Sequence, residues 1–92
     1  MIFKDFNVIF PDRIEKATVQ IKGGKIISFH PDESKDDVIL GQGRYLSPGF
    51  IDIHIHGAGN HDTMEGTFEA LDTISKTIAI HGTTAFLPTT MT

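Results

Sequence analysis

The run Pro48-Gly49-Phe50-Ile51-Asp52-Ile53-His54-Ile55-His56-Gly57 constrains the fold more than any other part of the chain. Its interior alternates without a break. Ile51, Ile53 and Ile55 take one set of positions, and Asp52, His54 and His56 take the other. Successive side chains of a β-strand point to opposite faces, so period two predicts a strand with one aliphatic surface and one polar surface. Pro48 cannot donate a ladder hydrogen bond and belongs before the strand or at its very start. The polar surface has two explanations. Either it is the solvated face of a sheet, or it holds a metal ion.

The residues after the strand bear on that choice. Gly57-Ala58-Gly59-Asn60 is a loop of small residues, as expected beside a ligand or in a tight turn. Residues 67–81 predict a helix, with Phe68, Leu71, Ile74, Ser75, Ile78 and Ala79 tracking one face at spacings of three and four. Thr67 is placed to cap its N-terminus, with Glu69 in the first turn near the positive end of the dipole. Gly82 fits the left-handed position past the C-terminus. Thr83-Thr84-Ala85-Phe86-Leu87 is a second strand, stopped by Pro88. Strand, helix, strand predicts two parallel neighbours joined by a crossover, and the aliphatic face of the first then fits a sheet covered by helices.

Before residue 47 the pattern is different. Phe6, Val8 and Phe10 alternate in a strand over residues 2–10, ended by Pro11-Asp12. Thr18-Val19-Gln20-Ile21 and Ile26-Ile27-Ser28-Phe29 flank Gly23-Gly24, a two-residue hairpin loop that sets Ile21 opposite Ile26. Apolar residues on both faces of the returning strand predict cover on both sides. Residues 30–37 are a polar, exposed loop, Val38-Ile39-Leu40 is a further short strand, and Gly41-Gln42-Gly43-Arg44 is a turn. Residues 1–46 thus predict an antiparallel β unit, and Ser47-Pro48-Gly49 a hinge.

Composition limits what such a chain can do. It has 92 residues and no cysteine, so neither a disulfide nor a thiolate ligand is available. A net charge of -4 lacks the clustered Lys and Arg of a nucleic-acid footprint. Charges at Lys4 and Asp5 interrupt any secretory apolar region, and no apolar run approaches the ~20 residues that span a bilayer. The expectation is a soluble, cytoplasmic protein with no nucleic-acid or membrane partner.

The two histidines favour a metal on three grounds. A parallel strand is buried, histidine is a poor filler for a wet strand face, and the glycine loop leaves room beside the rings. Residues i and i+2 lie ~6.6 Å apart along a strand, from where two imidazoles can converge on one ion. Two ligands are too few for a catalytic site, which takes at least three from the protein. His61 is expected to face solvent, His81 to serve the helix C-terminus, and His30 to lie on the surface. Asp52 is expected to hydrogen-bond within the sheet or to orient His54, rather than to ligate.

Residues 48–57 resemble the first barrel strand of the amidohydrolase superfamily, and Gly24-Lys25-Ile26 resembles a hairpin typical of the domain before it. Residues 57–66 and 81–90 are similar to the N-acetylglucosamine-6-phosphate deacetylase family, though Asn60 and His61 stand where smaller residues are expected. The resemblance implies an α/β chain. Residues 1–46 would be the N-terminal antiparallel part of a small β-sandwich domain, and residues 47–92 the first strand-helix-strand of a (β/α)8 barrel, incomplete in this chain. It implies His54 and His56 as metal ligands for a divalent ion, zinc or iron. It also implies an amino-sugar phosphate as the small-molecule substrate and a homo-oligomeric full-length enzyme. The remaining ligands, and the Asp that acts as general acid and base, are expected beyond Thr92, so the fragment by itself is expected to be inactive. Two alternatives accompany this reading: a piece of another amidohydrolase, such as a dihydroorotase or an N-acyl-amino-acid deacylase, or a small non-catalytic β-rich binding module.

Overall fold

The computed structural model describes residues 1–32 and 36–91. Glu33, Ser34 and Lys35 of the expected polar loop lie outside the described residues. The chain divides into two compact units, Met1–Pro48 and Gly49–Thr92.

The first unit is a single sheet of five strands: β1 (Ile2–Ile9), β2 (Ile14–Lys22), β3 (Lys25–Phe29), β4 (Val38–Leu40) and β5 (Tyr45–Leu46). The order is β3-β2-β1-β4, with β5 also pairing β1. Gly23 and Gly24 turn the β2–β3 hairpin at φ 59° and 74°, and Ile21 pairs with Ile26 as the two-residue loop requires. The sheet is mixed rather than antiparallel. β4 and β5 run parallel to β1, because after β3 the chain returns to the far edge of β1 and travels in the same direction. Phe6, Val8, Ala17 and Val19 form the buried core, with Phe3, Phe10, Ile21, Ile39 and Leu46 packed against it. Among the described residues, β3 is not covered on both sides as expected, although the Phe29 ring packs against Phe10. Ile26, Ile27 and Phe29 are exposed, since β3 is an edge strand of a one-layer sheet.

A bulge sits in β1. Phe3 pairs with Val19 and Phe6 with Ala17, so Lys4 and Asp5 oppose one residue, and Asp5 adopts a positive φ of 56°. The amide of Asp5 donates to Thr18 Oγ1 at 3.3 Å. Gly41 lies against this kink, and its amide donates to the Lys4 carbonyl at 2.8 Å. Any side chain at position 41 would collide with the Asp5 carbonyl.

The second unit contains β6 (Phe50–Ile55), β7 (Gly57–Ala58), β8 (His61–Asp62), a 3-10 turn at Thr63–Glu65, α1 (Phe68–Ala79) and β9 (Thr83–Pro88). β6 and β9 are parallel neighbours, as the strand-helix-strand order predicts. The expected glycine loop is a tight hairpin, β7 pairing antiparallel with β8 around Gly59 and Asn60 at positive φ. Thr67 caps α1, its Oγ1 accepting from the Ala70 amide at 3.1 Å, and Gly82 adopts a positive φ of 91°. The buried stripe of α1 differs from the expected one. Ala70 and Ile74 are fully buried, whereas Phe68 is 84% exposed. α1 packs on β9 and on the β7–β8 hairpin, which leaves Ile51 and Ile53 of β6 exposed rather than covered. Among the described residues, no helix is long and apolar enough to cross a membrane.

Candidate metal centre

β6 delivers His54 from within the strand and His56 one residue beyond its end. The structure brings the two rings together. Their Nε2 atoms are 3.1 Å apart, with ring centroids at 5.0 Å and planes at 77°. Two nitrogens bound to one ion at 2.0–2.1 Å stand roughly 2.9–3.4 Å apart for bond angles between a right angle and the tetrahedral value. The observed spacing lies within that bite. His54 is exposed and His56 half-buried, so the pair opens to solvent on one side.

The other nitrogen of His56 is held. Its Nδ1 lies 3.0 Å from the carbonyl oxygen of Thr89, just past the end of β9. A carbonyl only accepts, so in the neutral ring this contact places the His56 proton on Nδ1 and makes Nε2 the acceptor facing Nε2 of His54. The Thr89 amide in turn donates to the Ile55 carbonyl at 2.8 Å, which ties the two strand ends together. The Thr89 contact uses backbone alone, so no side-chain pattern announces it. The available signal was topological: parallel neighbours bring Pro88-Thr89-Thr90 to the same end as His56.

Asp52 neither joins the rings nor touches the His54 imidazole. Its Oδ1 accepts from the backbone amide of His54 at 3.0 Å. His61, expected to face solvent, is half-buried and paired, its Nδ1 lying 3.2 Å from Glu65 Oε1. Glu65 Oε2 accepts from the Asp62 amide at 2.6 Å, and Asp62 Oδ1 accepts from the Met64 amide at 2.8 Å. That reciprocal capping box engages His61 with the 3-10 turn rather than with the histidine pair. His81 is exposed in the turn after α1, and its amide donates to the Ile78 carbonyl at 3.0 Å. His30 is exposed at the end of β3. Among the described residues, no three His, Asp or Glu side chains converge as a metal would need. Within the described residues the histidine pair stands without a third such side chain beside it.

No protein-family model matches the chain. Individual proteins do. It is 44% identical over its whole length to an N-acetylglucosamine-6-phosphate deacetylase of Lysinibacillus sphaericus, of which the match covers 24%. It is 35% identical over its whole length to the deacetylase of the same name from Bacillus subtilis, again covering 24%. More distant matches are an adenine deaminase of Desulfatibacillum aliphaticivorans at 33% identity and an allantoinase of Desulfitobacterium hafniense at 30%. In three dimensions 96% of the chain superposes on 26% of the N-acetyl-D-glucosamine-6-phosphate deacetylase from Mycobacterium smegmatis, with a TM-score of 0.67 and 19% identity. The chain thus spans about a quarter of the length of these deacetylases. Over its whole length the sequence matches the N-acetylglucosamine-6-phosphate deacetylases, and the fold matches one segment of a solved deacetylase.

Proposed function

We propose that the chain is the N-terminal quarter of a metal-dependent hydrolase that releases acetate from N-acetylglucosamine 6-phosphate. On this reading residues 1–46 belong to a small β-sandwich domain, and β6, α1 and β9 are the first strand-helix-strand of a (β/α)8 barrel. The observation that carries the proposal is the 3.1 Å separation of the two Nε2 atoms at the C-terminal end of β6. Active sites of such barrels lie at that end of the strands.

His54 and His56 would hold a divalent ion, zinc or iron, through Nε2. The Thr89 carbonyl keeps the His56 proton on the opposite nitrogen, so that ring arrives ready to ligate. The ion, once bound, would polarise the acetamide carbonyl and lower the pKa of a water molecule. The exposed side of the pair leaves room for a small-molecule substrate. Two histidines cannot complete the site, so the missing ligands and the proton-transferring carboxylate come from the rest of the enzyme. The adenine deaminase and allantoinase matches support a second reading, the same metal pair serving another small amide or amidine substrate.

A chimera decides between them. Residues 1–92 replace the matching segment of the Lysinibacillus sphaericus deacetylase, and acetate release from N-acetylglucosamine 6-phosphate is measured. The expected result is an active chimera that loses activity with His54→Ala and His56→Ala together. A folded chimera that binds metal yet releases no acetate would overturn the deacetylase reading.

A further inference from the structure

Asp52 lies one strand repeat before the histidine pair, and the proposed chemistry assigns it no role. Its place in the ladder suggests one. The Phe50 amide donates to the Gly82 carbonyl at 2.9 Å, and the Ile55 carbonyl accepts from the Thr89 amide. Both groups therefore turn toward β9. Residues facing one neighbour in a regular strand share parity, whereas Phe50 and Ile55 are five apart. The register is irregular at two places in this interval: between Phe50 and Ile51, where Thr84 of β9 is the extra residue, and between Asp52 and Ile55. Asp52 pairs with Phe86 and Ile55 with Pro88, so Ile53 and His54 together oppose Leu87 alone. β6 carries a bulge, and His54 is in it.

A bulge interrupts the ladder and leaves backbone groups to be satisfied by other means. Here the Asp52 carboxylate takes the His54 amide at 3.0 Å, closing a side-chain turn of the kind short acidic residues favour. Bulges recur beside functional sites because they re-aim a side chain. Strict alternation would leave the spacing of the two rings to strand twist alone.

We propose that Asp52 is a positioning residue, which fixes the bulge in β6 and thereby sets the His54 ring against the His56 ring. Its significance for metal binding rests on the reading of that pair as ligands. Asp52 acts through geometry, as an acceptor at one fixed distance from its own backbone. It does not act through charge at the metal.

Two conservative variants of the 92-residue chain separate these roles. Asp52→Asn keeps the acceptor and removes the charge. Asp52→Glu keeps the charge and lengthens the turn by one methylene. The readouts are hydrogen exchange at the His54 amide, nuclear Overhauser contacts between the two rings, and titration with zinc chloride. Asp52→Asn should retain the ring contacts and the His54 protection. Asp52→Glu should speed His54 exchange about tenfold, as for one lost hydrogen bond, weaken the ring contacts, and lower zinc affinity about 10–100-fold. Amide protection at Ile74 reports whether each variant is folded. The inference is overturned if Asp52→Glu leaves His54 exchange and the ring contacts unchanged, or if Asp52→Asn loses zinc binding as fully as Asp52→Glu. A chain whose zinc titration ignores His54→Ala, His56→Ala refutes the ligand reading instead. The exchange and ring-contact measurements then still decide the role of Asp52.

Discussion

His56 and Thr89 are 33 residues apart in sequence and joined by one contact, imidazole Nδ1 to backbone carbonyl oxygen at 3.0 Å. The bond exists because β6 and β9 are parallel neighbours that end side by side. It makes Nδ1 the protonated nitrogen of the neutral ring and Nε2 the acceptor facing His54. Nitrogen NMR of the metal-free chain at neutral to mildly alkaline pH should therefore show His56 protonated at Nδ1. A His56 ring protonated at Nε2 would contradict the contact.

Metal binding gives the second prediction. The 92-residue chain should bind zinc weakly through His54 and His56, and the double alanine variant should lose at least about tenfold in affinity. Calorimetric titration measures this. Unchanged affinity in the variant would remove the pair from consideration as ligands.

The helix gives the third. Ile74 is fully buried where α1 meets the rest of the second unit, so Ile74→Ala should cost about 2–5 kcal/mol. Thr67→Ala, which removes only the cap on the Ala70 amide, should cost about 1 kcal/mol. Phe68→Ala should cost little, since the ring is 84% exposed. Denaturant melts monitored by circular dichroism would rank the three, and a larger loss from Phe68 than from Ile74 would refute the observed packing.

Gly41 gives the fourth. A methyl group there meets the Asp5 carbonyl in the β1 bulge, where backbone cannot yield as a side-chain end can. Gly41→Ala should therefore destabilise the first unit by about 1–3 kcal/mol. Gly23→Ala makes a control of a different kind. Its positive φ strains any side chain, but nothing stands within 4 Å of it. Thermal unfolding of the two variants should show the β1–β4 region loosening only for Gly41→Ala.

Association gives the fifth. Ile51 and Ile53 are 69% and 73% exposed on a two-stranded sheet whose outer edges are unpaired among the described residues. Exposed apolar strands with open edges self-associate. Sedimentation should show concentration-dependent oligomers, reduced by Ile51→Lys with Ile53→Lys. A concentration-independent monomer would argue against the barrel reading and for a free-standing module.

Much of this was legible along the chain. Period-two alternation marked β6, Gly23-Gly24 fixed the register of the β2–β3 hairpin, and the 3.6-residue rhythm with Thr67 bounded α1. These signals are local, because strand, turn and helix each leave their period in adjacent residues. Alternation also chose His54 and His56 as the pair to bring together. What it could not supply were consequences of pairing between distant segments. The parallel return of β4 and β5 beside β1, the exposure of Phe68, the engagement of His61 with Glu65 and the Thr89 carbonyl behind His56 all depend on which strand lies next to which. Asp52 is the sharpest instance. The sequence by itself set it in line with the two histidines. Only the tertiary structure, by breaking the regular pairing of β6 with β9 between Asp52 and Ile55, set its carboxylate on the His54 amide, because ladder register is decided between strands and not within one.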